Sequence, residues 1–271
     1  MLDVEGGSLA YEEAGRGLPI VLMHEGIADS RVWDREFSLL AQDHHVVRYD
    51  LRGFGRSPSA KGPYSDVRDL KALVDHLQLR RPTLVAPSMS GRIAIDYALA
   101  YPDSVSGLLL IAPGISGLQP EMVPEGKAAL EVDDRLSQAA TKAWSDGDLP
   151  VATEHLRTLW CAALKGDALE LFRTMVKENA IEVFDSRSEK LEDSKVPPAA
   201  TRLSSMKVPT DVLVGDEDNP FSFYIADFVA KNIPGARLTR VPGGDHLLNL
   251  SRPDAFDHGL SNLLARSSGR L

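Results

Sequence analysis

The sequence predicts an α/β fold with a mostly parallel sheet. Two patterns support this class: short apolar runs rich in valine, leucine and isoleucine, and longer segments of helical periodicity that separate them. Short continuous apolar runs are typical of strands buried on both faces, and helices between successive strands indicate parallel pairing through right-handed crossovers. The length of 271 residues fits one such domain with an insertion, or two small domains.

Six apolar runs are the predicted buried strands. They cover residues 19–24, 45–50, 83–87, 107–112, 211–215 and 236–241. Ahead of them, residues 4–12 are expected to form an edge hairpin around Gly6 and Gly7, because glycine readily adopts the backbone conformations of tight turns.

Helices are predicted between these strands. The segment 65–79 has one apolar helical face, and Ser65 is a suitable N-cap for it. The residues of that face are Val67, Leu70, Leu73, Val74 and Leu77. Another helix is expected to begin near Ser88 and to stop before Pro102, since proline does not continue a helix.

The alternation of strands and helices stops near residue 117 and resumes at Lys207. The stretch between has several helical patterns and is too long for an ordinary loop. Its predicted helices cover residues 124–139, 151–164, 168–177 and 181–191. The predicted organisation is therefore a core of residues 1–116 and 202–271 with a helical insertion at 117–201.

Composition and charge exclude several classes of partner. The net charge is −9, and no cluster of lysine and arginine is large enough to follow a phosphate backbone, so nucleic acid is not an expected partner. The first residues lack the basic and apolar regions of a signal peptide, and no apolar run approaches the roughly 18 residues of a membrane span. Cys161 is the only cysteine, so an internal disulfide is impossible. We therefore expect a cytoplasmic protein that does not bind membranes.

The segment around Ser88 carries the strongest chemical signal. An apolar strand runs directly into this serine, and a helical pattern follows at once. A nucleophile on so sharp a turn strains the backbone and crowds the residues two before and two after it, where glycine is usual. Those positions hold Ala86 and Ser90, which are small enough to permit the turn. The alternative is that Ser88 only caps the following helix.

Four blocks of sequence together resemble the α/β-hydrolase superfamily, and in particular its serine carboxylesterases and enol-lactone hydrolases. They are the His-Glu-Gly segment at 24–33, the Asp-x-Arg-Gly-x-Gly-x-Ser stretch at 50–57, the strand and turn at 209–218, and the loop at 243–253. The blocks occur in the family's order and at family-like spacing. The resemblance implies an eight-stranded, mostly parallel sheet flanked by helices, with the insertion as a helical cap.

The resemblance also implies three catalytic residues. Ser88 is the implied nucleophile, Asp218 the acid and His246 the base. A histidine can accept the serine proton near neutral pH, and the aspartate would fix the imidazole tautomer. For Asp218 the alternative is a solvated carboxylate in an acidic turn, because Asp216 and Glu217 are beside it.

The implied oxyanion hole consists of backbone N–H groups. Met89, the residue after the nucleophile, supplies one, and Gly26 supplies the other, with Ile27 as the next candidate. His24 is expected to shape this loop rather than to transfer protons.

Glu25 departs from the family's usual glycine. A carboxylate near an oxyanion hole would oppose the charge that the hole stabilises. We therefore expect its side chain to point away and to be paired, with Arg52 or Arg92 as the candidate partners.

Cap helices form the ceiling of the substrate pocket in this family. The candidate pocket residues are Ile27 in the oxyanion loop and Trp144 and Trp160 in the insertion. For each tryptophan, the alternative is packing between cap helices.

The implied reaction is hydrolysis of a small carboxylic ester or lactone through an acyl-serine intermediate, with no cofactor or metal. A serine nucleophile argues against the dehalogenases and epoxide hydrolases of this fold, which attack with aspartate. The residues after His246 lack the tryptophan of many meta-cleavage-product hydrolases, which disfavours carbon–carbon hydrolysis. The alternatives are a ligand receptor or signalling protein that keeps the triad with slow or no turnover, a hydroxynitrile-lyase-like enzyme, and a perhydrolase.

Overall fold

The computed structural model describes residues 1–193 and 195–268, and it confirms the predicted α/β class. The strands are β1 (Leu2–Val4), β2 (Gly7–Leu9), β3 (Tyr11–Ala14), β4 (Pro19–Leu22), β5 (His45–Tyr49), β6 (Thr83–Pro87), β7 (Gly107–Ile111), β8 (Thr210–Gly215) and β9 (Arg237–Val241). The central sheet has the order β3-β5-β4-β6-β7-β8-β9. Its edge strand β3 is antiparallel to β5, and the other neighbouring strands are parallel.

The number of strands differs from the expected eight, because the central sheet in the described residues has seven. The predicted hairpin around Gly6 forms, but β1 and β2 pair with each other as a separate antiparallel sheet. The chain leaves that hairpin at Ala10, whose N–H donates to the Ser57 hydroxyl at 2.8 Å rather than to a neighbouring strand. Only β3 then joins the main sheet at this edge.

The central strands are buried on both faces, as their apolar sequences predict. Every residue of β6, β7 and β8 is buried. Along β7, Leu108 and Leu110 pack into the core on one face, whereas Leu109 and Ile111 pack into the core on the other. Because successive side chains of a strand point to opposite faces, one apolar run contributes to two cores. Each fully buried leucine or isoleucine stabilises the fold by roughly 1.5–3 kcal/mol.

Helices cover both faces of the sheet. They are α1 (Asp34–Leu40), α2 (Asp66–His76), α3 (Ser88–Ala100), α4 (Pro124–Ser145), α5 (Leu149–Trp160), α6 (Gly166–Glu178), α7 (Ala180–Asp185), α8 (Pro220–Asn232), α9 (Leu248–Ser251) and α10 (Pro253–Ser268). Apolar residues of α2, α3 and α8 pack into one core, and those of α1 and α10 into the other. The Ser65 side chain accepts the Arg68 N–H, so the predicted N-cap of α2 is confirmed.

The described residues between β7 and β8 form the helices α4 to α7 and no strand of either sheet. The predicted helix at 181–191 is interrupted, because α7 ends at Asp185 and Ser186 is left-handed with φ +46°. A single 3₁₀ turn, Glu189–Leu191, follows. None of the helices in residues 1–193 and 195–268 combines the length and apolar character that a membrane span requires.

Candidate active site

Ser88 lies at the sharp turn from β6 into α3. Its φ is +46°, in the left-handed region that a non-glycine residue adopts at a cost of about 1–3 kcal/mol. Residues held in such conformations cluster at active sites, where the surrounding structure maintains the strain. The turn also places Ser88 at the carboxyl edge of the parallel strands, where ligands bind in open α/β sheets.

Two residues after Ser88 show how α3 packs at this turn, although Ser90 stands where glycine is usual. The Ser90 hydroxyl donates to the carbonyl oxygen of His24 at 2.5 Å, so it ties α3 to the loop after β4. This bond gives serine a role at a position where glycine is usual. At Gly91, a Cβ atom would lie 2.6 Å from the Cβ of Pro113, so glycine is required for the close approach of α3 to the loop after β7.

Asp218 and His246 form a buried pair at the same edge of the sheet. Asp218 follows β8 and His246 follows β9. His246 Nδ1 and Asp218 Oδ2 are 2.8 Å apart, and the two side chains are 6% and 0% exposed. The other carboxylate oxygen of Asp218 accepts the Asn219 N–H at 2.7 Å. The pairing assigns the imidazole proton to Nδ1 and leaves Nε2 as the basic nitrogen.

The electrostatic surroundings favour the imidazolium form of His246. Burial by itself lowers the pKa of this histidine, but the charge of Asp218 and its hydrogen bond to the ring, with smaller contributions from Glu25 and Asp245, outweigh burial and raise the pKa. A histidine base with a raised pKa holds a transferred proton more firmly. It also requires a higher pH to be neutral when substrate arrives.

The loop after β4 is held in place by the His24 ring. The Leu51 N–H donates to His24 Nε2 at 2.9 Å, so this nitrogen is unprotonated and Nδ1 carries the proton. Nδ1 donates to the Glu25 carbonyl oxygen at 2.8 Å. Burial lowers the pKa of His24, which keeps the ring neutral. Both ring nitrogens are therefore used to shape the loop, as expected from the sequence.

Gly26 and Met89 meet beside Ser88. A Cβ atom at Gly26 would lie 3.6 Å from Met89 Sδ, and both residues border the same cavity as Ser88. Met89 is the second residue of α3, and the first N–H groups of a helix lack partners within it. This arrangement can place two backbone N–H groups beside the oxygen of a substrate carbonyl.

A cavity of about 180 Å³ brings most of the sequence-predicted residues together. The predicted residues that border it are Ser88, His246, Gly26, Met89, Ile27 and Trp160. In the described chain the Ser88 hydroxyl makes no hydrogen bond to His246, and such bonds often tighten only when substrate binds.

Residues 1–193 and 195–268 contain no group of three or more His, Cys, Asp or Glu side chains arranged to hold a metal ion.

The two tryptophans of the insertion have different roles. Trp160 stacks on the His246 ring with centroids 5.9 Å apart, and its carbonyl oxygen accepts the His246 N–H at 2.9 Å. Trp144 does not border the cavity. It stacks on Phe184 at 5.3 Å and donates to Asp185 at 3.3 Å. Its ring therefore packs against α7 of the insertion, which is the alternative that the sequence left open for this tryptophan.

The family model for the alpha/beta hydrolase family matches residues 20–258, which is most of the chain. The chain belongs to this family.

Three relatives of this alpha/beta hydrolase are 24–27% identical to it and cover 87–96% of its chain. The enzyme 3-oxoadipate enol-lactonase 2 of Acinetobacter baylyi is 24% identical over 242 residues, which cover 87% of this chain and 84% of that protein. Est816, an N-acyl homoserine lactone degrading enzyme, has a structure with TM-score 0.76 and 27% identity over 96% of this chain and 98% of its own. A thermophilic esterase from Thermogutta terrifontis has TM-score 0.76 and 26% identity, over 96% and 93% of the two chains.

The cavity of this alpha/beta hydrolase also has a polar wall that the sequence analysis missed. Its residues are Arg52, Tyr64, Asp66, Glu182, Ser188 and Glu189. They come from the loop after β5, the start of α2 and the end of the insertion, which are far apart in sequence. Contacts such as the bond from Ser59 Oγ to Glu182 Oε1 at 2.8 Å close the insertion onto the core and bring them together. No local pattern in the sequence indicates such a contact.

Glu25 is not paired with Arg52 or Arg92, contrary to the expectation. Arg52 binds Asp69 at 2.6 and 2.9 Å. Arg92 is 3.1 Å from Asp66. The Glu25 side chain is buried, and within the described residues its Oε2 atom has no hydrogen-bond partner. Burial raises the pKa of this carboxyl group to about 7, so protonation rather than an ion pair reduces the cost of burying it.

Proposed function

We propose that this protein hydrolyses small carboxylic esters or lactones through an acyl-Ser88 intermediate. The observation that carries the proposal is the buried Asp218–His246 pair, 2.8 Å apart, on the same cavity as a serine in the left-handed conformation. A serine, a base and an acid that orients the base are the parts that acyl transfer requires. The enol-lactonase, the lactone-degrading enzyme and the esterase among the relatives support the same class of reaction.

In the first half of the reaction, Ser88 Oγ attacks the carbonyl carbon while His246 Nε2 takes the hydroxyl proton. Asp218 stabilises the imidazolium that forms, and the N–H groups of Gly26 and Met89 donate to the developing oxyanion. The bond from the carbonyl carbon to the leaving oxygen then breaks. His246 returns the proton to that oxygen, which releases an alcohol or opens the lactone ring and leaves the acyl group on Ser88.

The second half repeats these steps with water. His246 takes a proton from the attacking water, a second tetrahedral intermediate forms, and the bond between the acyl carbon and Ser88 Oγ breaks. The proton on His246 passes back to Ser88. The products are a carboxylic acid and the unmodified enzyme.

We also assign residues 117–201 the role of a cap that limits substrate size. Trp160, at the end of α5, stacks on His246, and Ile27 borders the cavity with it. A cavity of roughly 150 Å³ holds a benzene-sized ligand. The cavity of about 180 Å³ therefore suits a short acyl group.

A small fluorophosphonate tests the proposed nucleophile, because it reacts with serines activated by a base. Brief treatment of the protein is expected to give a single adduct, mapped to Ser88 by mass spectrometry. The Ser88→Ala variant should give none. Ser205→Ala is the matched control, since Ser205 is exposed and its hydroxyl donates to the Arg202 carbonyl oxygen, away from the cavity. Absence of an adduct on folded wild type would contradict acyl-serine chemistry and favour ligand binding without turnover.

The pH dependence of kcat/KM tests His246 as the base. Only the neutral imidazole accepts a proton, and the surrounding carboxylates raise the pKa of His246 above its ordinary value of 6.5. Activity is therefore expected to rise with pH through a midpoint above 6.5. A wild-type midpoint at or below the ordinary value would contradict this assignment.

A further inference from the structure

Three acidic side chains border the cavity that Ser88 and His246 share. They are Asp66 at the start of α2, Glu182 in α7 and Glu189 in the turn after α7. Asp66 belongs to the core and the glutamates to the insertion, so acidic groups reach the cavity from both parts of the chain. A substrate carboxylate in this cavity would therefore meet like charge.

Arg52 is the only lysine or arginine among the described residues that border the cavity, and its guanidinium is already bound. Nε and Nη2 donate to the two Asp69 oxygens at 2.6 and 2.9 Å, and Nη2 also donates to the Glu5 carbonyl oxygen at 2.6 Å. The side chain is 1% exposed and lies over the Tyr64 ring at 4.6 Å. Turning this guanidinium toward a substrate anion would leave the buried Asp69 carboxylate unpaired, which is costly.

Arg92 does not fully neutralise Asp66, because it also binds Glu192. The two carboxylates lie 3.1 and 3.3 Å from the same guanidinium, so two acidic groups share one positive charge. Burial raises the pKa of Asp66 to about 7, and its negative charge is therefore more complete above neutral pH. The net charge of −9 on the whole chain adds a field of the same sign.

We infer that this site selects small esters or lactones that carry no negative charge, and that Glu189 contributes to this selection. The inference rests on the proposed hydrolysis and names the class of substrate. Selection of this kind acts by repelling the wrong substrate, since no lysine or arginine among the described residues that border the cavity is free to bind an anion. The His246 ring also borders the cavity, but it must be neutral to act as the base. Uncharged and cationic substrates meet no such repulsion.

Three ethyl esters of similar acyl length test the inference: ethyl butyrate is neutral, monoethyl succinate is anionic and ethyl 3-aminopropanoate is cationic. At about pH 8, where Asp66 is largely ionised, kcat/KM for the anionic ester is expected to be about tenfold or more below the values for the other two. Added salt should narrow this difference, because it screens charges near the protein surface.

Glu189 can be reversed in charge with little risk to the fold, because its side chain is exposed. Glu189→Lys is expected to raise the ratio of kcat/KM for the anionic ester to that for the neutral ester by about tenfold. Glu121→Lys is the matched control. It makes the same change in net charge at an exposed residue that does not border the cavity, and it should leave the ratio unchanged.

Equal kcat/KM for ethyl butyrate and monoethyl succinate would overturn the inference while leaving ester hydrolysis intact. The same ratio in Glu189→Lys as in wild type would overturn the role of Glu189. If none of the three esters were hydrolysed, the proposed function would be overturned, and this inference with it.

Discussion

Ser88→Ala and His246→Ala are each expected to lower kcat for a small ester by about 10⁴-fold or more, and the double variant should be no slower than either single one. In the proposed mechanism the serine and its base act as a unit, so removal of one makes the other ineffective. The activity that remains is expected to come from substrate binding and from the proposed oxyanion-hole N–H groups of Gly26 and Met89, which all three variants keep. The measurement is kcat for a p-nitrophenyl ester in the four proteins, with folding checked by circular dichroism.

Controls for these variants are available elsewhere in the chain. Ser205→Ala and His258→Ala remove a hydroxyl and an imidazole from exposed positions, and both should retain wild-type turnover. Multiplicative losses in the double variant would contradict a shared proton transfer between Ser88 and His246. They would indicate that the two residues contribute independently.

The local part of the site was predictable from sequence because its signals are local. A buried strand that runs into a serine and then into a helix is contained in one short segment, and the strain at Ser88 follows from that turn. Asp218 and His246 were implied by the family resemblance rather than by a local pattern. Asp218 follows the fully buried strand β8, but β9, which precedes His246, has only Val241 buried, so the prediction of a buried strand at 236–241 is wrong. Parallel strands place their carboxyl ends at one edge of the sheet, and this edge is where all three residues lie.

The features that were missed depend on contacts between distant segments. The expected eighth strand is absent from the described central sheet, because β1 and β2 pair only with each other and the Ala10 N–H after them donates to the Ser57 hydroxyl. Trp144 and Trp160 are both aromatic residues of the insertion, and only the packed helices show that Trp160 lies on His246 while Trp144 stacks on Phe184. Burial of an aromatic ring is readable from periodicity, but the partner of that ring is not.

Glu25 shows how an expectation based on charge alone can fail. The expected ion pair assumed that a buried carboxyl group stays charged, as buried charges normally require partners. In the structure both candidate arginines bind other carboxylates, Asp69 and Asp66. Protonation is the other means by which a buried acid avoids an unpaired charge, and it leaves a measurable dependence of stability on pH.

The free energy of unfolding of the wild type is therefore expected to fall as pH rises from about 5 to about 8, and that of Glu25→Gln is expected to fall less. Below the ordinary pKa of 4.5, the Glu25 carboxyl group is protonated in both folded and unfolded chains, and it contributes no pH dependence. As pH rises toward about 7, the unfolded chain loses this proton while the folded chain keeps it, so the free energy of unfolding falls. The difference between 4.5 and about 7 corresponds to a maximum of about 3 kcal/mol, which glutamine removes.

Urea denaturation of wild type and Glu25→Gln at the two pH values measures this effect. For each protein, the change in unfolding free energy from about pH 5 to about pH 8 is determined, and these two changes are compared. Any cost of burying the glutamine amide that does not depend on pH therefore cancels. The contribution of Asp66, whose pKa is also raised to about 7, is present in both proteins and cancels as well. The contribution of His246 does not cancel fully, because Glu25 helps to raise its pKa, and the variant changes that contribution in the same direction. Glu121→Gln, at an exposed position, should keep the wild-type pH dependence. If Glu25→Gln kept it too, the carboxyl group would have to be ionised in the folded protein, with the His246 imidazolium as the nearby positive charge that lowers its pKa.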